Sequence, residues 1–329
     1  MDFTPDYSMG MADTVTKEYI RSNKVFADAF NYLIYDGEQV VKPALLQELD
    51  TTEIAIPFAL GENENQTEDA VQKYRDVLKS AVIMQDSRAS YILLGVENQT
   101  EIHYAMPVRN IIYDALQYGK QVSEVAKRHK SKGDRKGHNK GEYLSGFYKE
   151  DRIRPVITLV VHFGADEWDG PLSLYEMMDL EDKKLLKFVQ DYRIFLIDPY
   201  KLANNDLEKF STSLGDVLGY IKYSKDKKAL SKFLNDNQVM IMDNDAARVI
   251  RDVTNTPIYV PDGKGEIDMC KAVRDMIDES KQEGMAAGEL NKAKKMALKM
   301  YKKGDSIEEI AETAEVSVDQ VKEWINSAV

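Results

Sequence analysis

The segment Tyr91–Gln99 constrains the fold more than any other, because it begins as an apolar run and ends abruptly in polar residues. The upstream segment Arg75–Met84 is also largely apolar and carries its own acid, Asp76. Two such segments with a short polar turn between them predict paired strands of a hairpin. Alternate residues of a strand face the same side, so Glu97 and Gln99 project together, and Asp76 can approach the same face.

Two carboxylates beside a hydrogen-bonding amide are the groups that a Mg²⁺-dependent phosphodiesterase requires. A second interpretation is that Asp76 and Glu97 are ordinary acids at a solvated end of the strands. The catalytic interpretation is favoured because Glu97 follows directly on apolar and glycine residues, where a lone solvated acid is less expected.

The spacing of Asp76 and Glu97-Asn98-Gln99 resembles the D…(D/E)-x-K signature of the restriction-endonuclease-like nucleases, the PD-(D/E)XK superfamily, with Gln in place of Lys. Flanking segments occur in an order similar to that of the Rpn family of recombination-promoting nucleases, and the resemblance covers residues 19 to 325. These segments are Phe26–Phe30, Tyr104–Arg109, Arg154–Val161 and Trp168–Leu174.

The resemblance implies an α/β fold, a restriction-endonuclease-like mixed sheet flanked by helices, in an endodeoxyribonuclease associated with recombination or mobile elements. The catalytic residues would be Asp76, Glu97 and Gln99, and the metal, Mg²⁺ or Mn²⁺, would be held by Asp76, Glu97 and the carbonyl of Asn98. Gln99 can orient a water but supplies no charge, which affects the expected rate more than the mechanism. Asp28, on the first predicted helix, is either an additional acid of the site or a surface residue.

The net charge of −12 argues against nucleic-acid binding, because phosphate contacts normally require Lys and Arg. One segment, Lys127–Lys140, nevertheless holds seven basic residues and one acid. Three glycines in or next to it, Gly133, Gly137 and Gly141, predict a loop, which either holds a polyanion or is merely solvated. His129 and His138 are interpreted as incidental polar residues of this loop. The residues expected to contact DNA are Arg109, Lys127, Arg128, Lys130, Lys132, Arg135 and Lys136.

The chain divides into four predicted parts. Residues 1–18 are expected to be disordered, 19–200 to form the nuclease-like domain, 201–303 to form a helical region, and 304–329 to form a degenerate helix-turn-helix. Within 19–200, a helix over Lys17–Tyr35, the strand pair, a helix, and a strand buried on both faces over Pro155–Phe163 follow one another. Gly284 and Gly288 are expected to interrupt or kink the last long helix.

The terminal unit resembles a helix-turn-helix, with Ser306 and Ser317 at N-cap positions. From Asp305 to Val329 it has seven acids and one Lys, so it would repel a phosphate backbone. The glycine usual in such turns is replaced by Glu315. A packing or protein-contact role is therefore favoured over DNA readout.

Several other classes of function are disfavoured. The single Cys270 cannot form an internal disulfide, and no phosphate-binding or hydrolase motif is present. No membrane span or secretory signal is recognised, so a cytoplasmic location is expected. The expected partners are DNA and, through the helical C-terminal region, a second copy of the chain. The alternative function is a catalytically inactive, nuclease-derived scaffold; a transcription factor would need a basic terminal unit.

Overall fold

The computed structural model describes residues 7–49, 52–55, 71–74, 76–85, 88–133 and 139–327, with the backbone alone for 7–9, 52–55, 71–74, 84–85 and 88–91. The chain forms two compact units. The first comprises Met1–Thr256 and Val260–Ile267, and the second comprises Pro257–Tyr259 and Asp268–Val329. None of the helices in the described ranges is both long enough and apolar enough to cross a membrane.

The strands are β1 (Gln47–Glu48), β2 (Thr52–Ala55), β3 (Val71–Tyr74), β4 (Val77–Gln85), β5 (Arg88–Gln99), β6 (Val156–His162), β7 (Phe195–Ile197), β8 (Ile241–Asp243) and β9 (Glu266–Asp268). The helices are α1 (Tyr7–Arg21), α2 (Asn23–Tyr35), α3 (Met106–Lys132), α4 (Lys140–Ser145), α5 (Asn204–Leu207), α6 (Leu214–Tyr223), α7 (Lys227–Asn237), α8 (Asn244–Thr254), α9 (Met269–Tyr301), α10 (Ile307–Thr313) and α11 (Val318–Asn326).

A mixed sheet of five strands organises the first unit, in the order β1-β4-β5-β6-β7. The predicted hairpin is confirmed, because β4 and β5 pair antiparallel over their length, with Val77 opposite Val96. Strand β6 pairs parallel with β5 and is buried along almost all of its length, as its continuous apolar sequence predicts. The protein is therefore mixed α/β, with a helical C-terminal region.

Helices cover both faces of this sheet. Helix α1 packs against β4 and β5, and α3 packs against β6. Phe26 and Phe30 of α2 are fully buried, as are Leu94 of β5 and Leu159 of β6. The apolar positions that predicted a first helix therefore contribute to the core, although the helix is divided into α1 and α2 at Ser22.

The N-terminus differs from the prediction of a disordered segment over residues 1–18. Residues 7–18 belong to α1, and Ala12 and Thr16 of that helix are buried. The helix packs against α8, which lies more than two hundred residues later in the chain. The sequence of α1 is only weakly apolar, so the helix depends on packing against residues that are distant in the chain. The local sequence pattern does not predict that packing.

The predicted boundary at residue 200 falls inside the first unit. Helix α6 packs against α2 and α8. The side chain of Tyr19 in α1 hydrogen-bonds to Ser213 at 2.9 Å, just before α6 begins. Helices that follow β7 thus pack against the N-terminal helices and belong to the same unit as the sheet.

The basic segment is helical where a loop was predicted. Helix α3 continues through Lys127 to Lys132 and ends at Gly133, whose φ of +64° provides the left-handed cap. Lys and Arg are good helix formers, and positive charges are favourable in the last turn of a helix, which outweighs the signal of the downstream glycines. Residues 134–138, with Arg135, Lys136 and His138, lie outside the described residues.

The second unit contains the long helix α9, which is continuous through Gly284 and Gly288 where an interruption was predicted. A glycine costs a helix only about 1 kcal/mol relative to alanine, and the thirty-three-residue helix tolerates two of them.

The end of α9 packs against α10 and α11, around a core formed by Ala297, Ile310, Ala311, Val321, Trp324 and Ile325. Ser306 and Ser317 are N-caps of α10 and α11, as predicted. Glu315, in the turn between the two helices, has φ +52°, a conformation that favours glycine.

Candidate active site

Asp76 and Glu97 lie at the adjacent ends of the β4–β5 hairpin. Val77 and Val96 are paired in the ladder, so the next residue on each strand, Asp76 and Glu97, extends from the same point. The carboxylate of Asp76 turns back onto β5, where its Oδ2 accepts a hydrogen bond from the Asn98 amide at 2.8 Å. The strand pairing therefore holds the two predicted acids close in the fold although twenty residues separate them in sequence.

Glu97 is completely buried, so it is not an acid of a solvated rim. Its Oε2 lies 3.0 Å from Nη2 of Arg109, on the first turn of α3. A buried carboxylate is stable only when a cation or hydrogen-bond donors compensate for lost hydration, and Arg109 provides that compensation. Tyr113 follows one helical turn later, with its ring centroid 5.7 Å from the Arg109 guanidinium carbon.

The electrostatics of Arg109 link the two acids. Burial alone would lower the pKa of Arg109, but Glu97, and to a lesser extent Tyr113 and Asp76, raise it above its ordinary value. Burial raises the pKa of the Tyr113 phenol, and Glu97 adds to that rise. Glu97 therefore acts on the Arg109 guanidinium through direct contact, whereas Asp76 acts on it only through a weaker, longer-range attraction.

Asp76 has a cation of its own, Lys17 of α1. The Lys17 ammonium lies 3.2 Å from Asp76 Oδ1 and 2.7 Å from Asp13 Oδ2. Burial alone would lower the pKa of Lys17, whereas its bonds to Asp13 and Asp76 raise it overall. Lys17 was not among the predicted site residues, because no local sequence pattern places its helix beside Asp76.

Asn98 and Gln99 complete the motif. The Asn98 side chain points to the α1 face of the sheet and donates to Thr16 Oγ1 at 2.7 Å, whereas Glu97 faces α3, as strand alternation requires. The Gln99 amide donates to the carbonyl of Asn98 at 2.8 Å. That carbonyl is the predicted third metal ligand, so Gln99 contacts the atom that would bind the cation.

The donor set fits Mg²⁺ in kind. Two carboxylates and one carbonyl are hard oxygen ligands, and Mg²⁺ commonly keeps several waters and uses only one or two carboxylates. Within the described residues, no group of three or more His, Cys, Asp or Glu side chains is placed to hold a metal ion. A cation at Asp76 and Glu97 would therefore replace the positive charges of Lys17 and Arg109 rather than enter a cluster of uncompensated acids.

Asp28 has a structural role away from these residues, which corrects its assignment as an additional acid. It is buried, and both of its oxygens are used. Oδ1 accepts from the amide and hydroxyl of Ser211 at 2.9 and 2.8 Å, and Oδ2 accepts from the amide and hydroxyl of Thr212 at 2.9 and 2.6 Å. The carboxylate thus anchors the turn that precedes α6.

Five of the seven residues predicted to contact DNA lie on α3, and the other two, Arg135 and Lys136, lie outside the described residues. Arg109 pairs with Glu97 at the start of the helix. Lys127, Arg128, Lys130 and Lys132 are exposed on its last turns. These basic side chains of α3 are therefore presented by a helix that begins beside the candidate active site.

A cavity of about 280 Å³ opens where β5 and β6 end, and His162 lines it. His162 is the parallel register partner of Gln99. Its Nε2 lies 2.8 Å from the Asp166 carbonyl, which can only accept, so Nδ1 is the acceptor of the neutral ring. A Cβ at Gly164 would lie 2.4 Å from Cε1 of the ring. Only strand pairing brings His162 beside Gln99, and no local sequence signal identifies it.

The comparison with known proteins gives one match. A family model described as "Putative transposase, YhgA-like" matches residues 60–247 of the 329, more than half of the chain. No curated protein and no solved structure matches.

Proposed function

The chain belongs to this YhgA-like family, and from that premise we propose that it is a Mg²⁺-dependent DNA endonuclease acting in recombination or in the movement of mobile elements. The proposal includes a restriction-endonuclease-like fold for the first unit. It is supported by an antiparallel hairpin, a helix and a parallel strand in succession, with acids at the end of the hairpin.

The observation that carries the proposal is the placement of Asp76 and Glu97 at the adjacent ends of β4 and β5. Glu97 is completely buried, and each acid has its own cation, Lys17 for Asp76 and Arg109 for Glu97. Burying a carboxylate is costly, and structural roles are usually met by apolar residues at lower cost. Buried charged groups are often found at functional sites.

Each residue has a defined task in this proposal. Asp76, Glu97 and the Asn98 carbonyl would hold Mg²⁺, which supplies an acidified water and stabilises charge on the scissile phosphate. The Gln99 amide can both donate and accept, so it orients the attacking water. Lys17 and Arg109, released from the two acids, provide at the phosphate the positive charge that Gln99 lacks.

A second candidate function is an inactive scaffold that acts through protein contacts. One observation favours it: each acid already has a cationic partner, and Gln99 bonds to the proposed ligand carbonyl. A closed ion-pair network of this kind is stable without a metal. The net charge of −12 points in the same direction.

A nicking assay separates the two candidates. Purified protein with Mg²⁺ should nick supercoiled plasmid, and Asp76→Asn or Glu97→Gln should lower the rate at least about 100-fold, since the metal contributes several kcal/mol to the barrier. Glu18→Gln, an exposed acid of α1, is the matched control and should leave the rate unchanged. Calorimetry with Mn²⁺ should detect binding to the wild type and not to Glu97→Gln. No nicking and no Mn²⁺ binding by the wild type would establish the scaffold.

A further inference from the structure

A second cavity, of about 650 Å³, lies between α3, the β4–β5 hairpin and the segment that leads into β6. We call it the basic cavity. Its charged lining consists of four cations and one acid: Lys120, Arg128, Arg152 and Arg154, with Glu124. Its apolar lining consists of Leu49, Leu78, Leu93 and Val125. The volume lies within the range of small-ligand sites.

The wall of the basic cavity is firmly held. Gln121 of α3 bonds to the backbone of Arg154 twice, accepting from its amide at 2.7 Å and donating to its carbonyl at 3.1 Å. The Tyr118 hydroxyl, on the same helix, accepts from the Val156 amide at 3.1 Å. The Arg152 guanidinium donates to the carbonyls of Lys149 and Asp151 at 2.8 and 2.7 Å. These bonds fix the direction of the arginine without neutralising it.

The positive charge in the basic cavity is largely uncompensated. Within the described part of the chain, Lys120, Arg128 and Arg152 have no carboxylate oxygen within ion-pair distance, and all three are exposed. Glu124 in the lining and Asp151, on which the charge of Arg128 acts, compensate only part of this positive charge. Cations that outnumber the neighbouring acids repel one another, and an anion bound among them would relieve that repulsion.

The floor of the basic cavity is apolar, so its ligand should have an apolar surface as well as a negative charge. Leu78 and Leu93 are 1% and 5% exposed, and they belong to one apolar cluster beneath the rim of cations. The phosphates of a paired duplex need no apolar floor, because its bases are stacked inside. An unpaired nucleotide presents both a phosphate and the flat face of a base. Single-strand sites combine basic grooves with side chains, commonly aromatic, against which the bases pack, and the leucines would take that role here.

The cavity is aligned with the candidate active site. Leu93 and Glu97 are four residues apart on β5 and face the same side of the sheet, which places them about 13 Å apart along the strand. A single strand of a few nucleotides is long enough to span that distance. Helix α3 follows the same direction, from Arg109 beside Glu97 to Lys120 and Arg128 at the cavity.

We propose that the basic cavity binds an unpaired stretch of the DNA strand that leads to Asp76 and Glu97, with phosphates on Lys120, Arg128, Arg152 and Arg154 and a base on the leucine floor. The inference rests on the proposed action on DNA. It makes a single-stranded or branched DNA, and not a fully paired one, the substrate class of the site.

Fluorescence anisotropy in EDTA tests the inference separately from cleavage. The probes are a labelled single strand, a duplex with a single-stranded tail and a blunt duplex. The wild type should bind the first two at least about tenfold more tightly than the third. The double variant Lys120→Gln/Arg152→Gln should lose that preference, with a slope of log affinity against log salt smaller by about 1.4, the value for two phosphate contacts on a single strand.

The matched control removes two charges elsewhere. Lys183→Gln/Lys184→Gln, on an exposed 3₁₀ turn of the same unit, should leave both affinity and preference unchanged. Leu49→Asn, at the half-buried edge of the floor, should reduce the preference for unpaired DNA while retaining the salt slope.

The inference would be overturned by unchanged binding by the Lys120/Arg152 variant, by an equal loss in the control pair, or by equal affinity for blunt and single-stranded DNA. A mononucleotide that binds the cavity while oligonucleotides do not would also overturn it. Binding of unpaired DNA without any nicking would support the cavity and refute the endonuclease proposal, whereas nicking with unaltered binding by the variant would do the reverse.

Discussion

Arg109 and Glu97 form an ion pair between α3 and β5, with 3.0 Å between Nη2 and Oε2 and with the carboxylate completely buried. The pair joins the helix that carries the basic residues to the strand that carries the motif. It therefore has both a structural and an electrostatic consequence, and the two can be measured separately.

Removal of Arg109 should destabilise the first unit. Arg109→Met leaves the Glu97 carboxylate buried without its cation, which should lower the free energy of unfolding by about 3 kcal/mol. The double variant Arg109→Met/Glu97→Gln removes both charges and should recover most of that loss. Urea unfolding measures both. If a cation binds at Glu97, Mg²⁺ should raise the melting temperature of Arg109→Met more than that of the wild type; equal shifts would contradict a shared position.

Asp28 should be essential for stability and not for chemistry. Asp28→Asn places an amide against the donors of Ser211 and Thr212, which should cost about 2–4 kcal/mol through unsatisfied hydrogen bonds. Asp36→Asn, at the exposed end of the same helix, is the matched control and should change stability by less than about 0.5 kcal/mol. Chemical denaturation gives the difference. Near-equal effects of the two substitutions would show that Asp28 is not the anchor described here.

Glu315 should be more stable as glycine. Its φ of +52° is unfavourable for a residue with a Cβ, so Glu315→Gly should stabilise the second unit by about 0.5–1 kcal/mol. Glu312→Gly removes the same charge within α10 and should destabilise by about 1 kcal/mol. Thermal unfolding monitored by Trp324 fluorescence distinguishes the two, and destabilisation by both would refute the backbone argument.

Asp151 should make stability depend on pH in the acid range. Burial alone would raise the pKa of Asp151, but the Tyr148 amide and the His129 ring hold it below its ordinary value. The folded pKa is therefore lower than the unfolded one, so the stabilisation is present above about pH 4 and is lost as the pH falls through the folded pKa. Asp151→Asn should flatten that part of the stability curve, and the exposed Asp179→Asn should not. Parallel curves for Asp151→Asn and the wild type would contradict the expectation.

The sheet was predictable where local pattern determines structure. The apolar runs of β4, β5 and β6 predict buried strands, and the short polar segment between the first two predicts a hairpin. The N-caps of the last two helices were also predictable, because Ser306 and Ser317 each accept a hydrogen bond from an amide only three residues later. Asp76 and Glu97 could be paired from sequence because a hairpin is a local structure.

The rest of the site depends on contacts between distant parts of the chain. Lys17 reaches Asp76 only because α1 packs against the sheet, and its sequence gives no sign of that packing. Asp28 finds its partners 183 residues away, at Ser211. A buried acid looks the same in sequence whether it binds a metal or anchors a turn, so only the fold separates Asp28 from Glu97.

The bond between Thr16 and Asn98 has a practical meaning for anyone trimming this protein. A clone begun at residue 60, where the family similarity starts, would delete the helix that shields one side of the motif, together with the lysine held by Asp76. Such a fragment would keep the whole motif from Asp76 to Gln99 but lose the residues of α1 that contact it. A fragment intended to preserve the site should therefore include α1, although the family similarity begins only at residue 60.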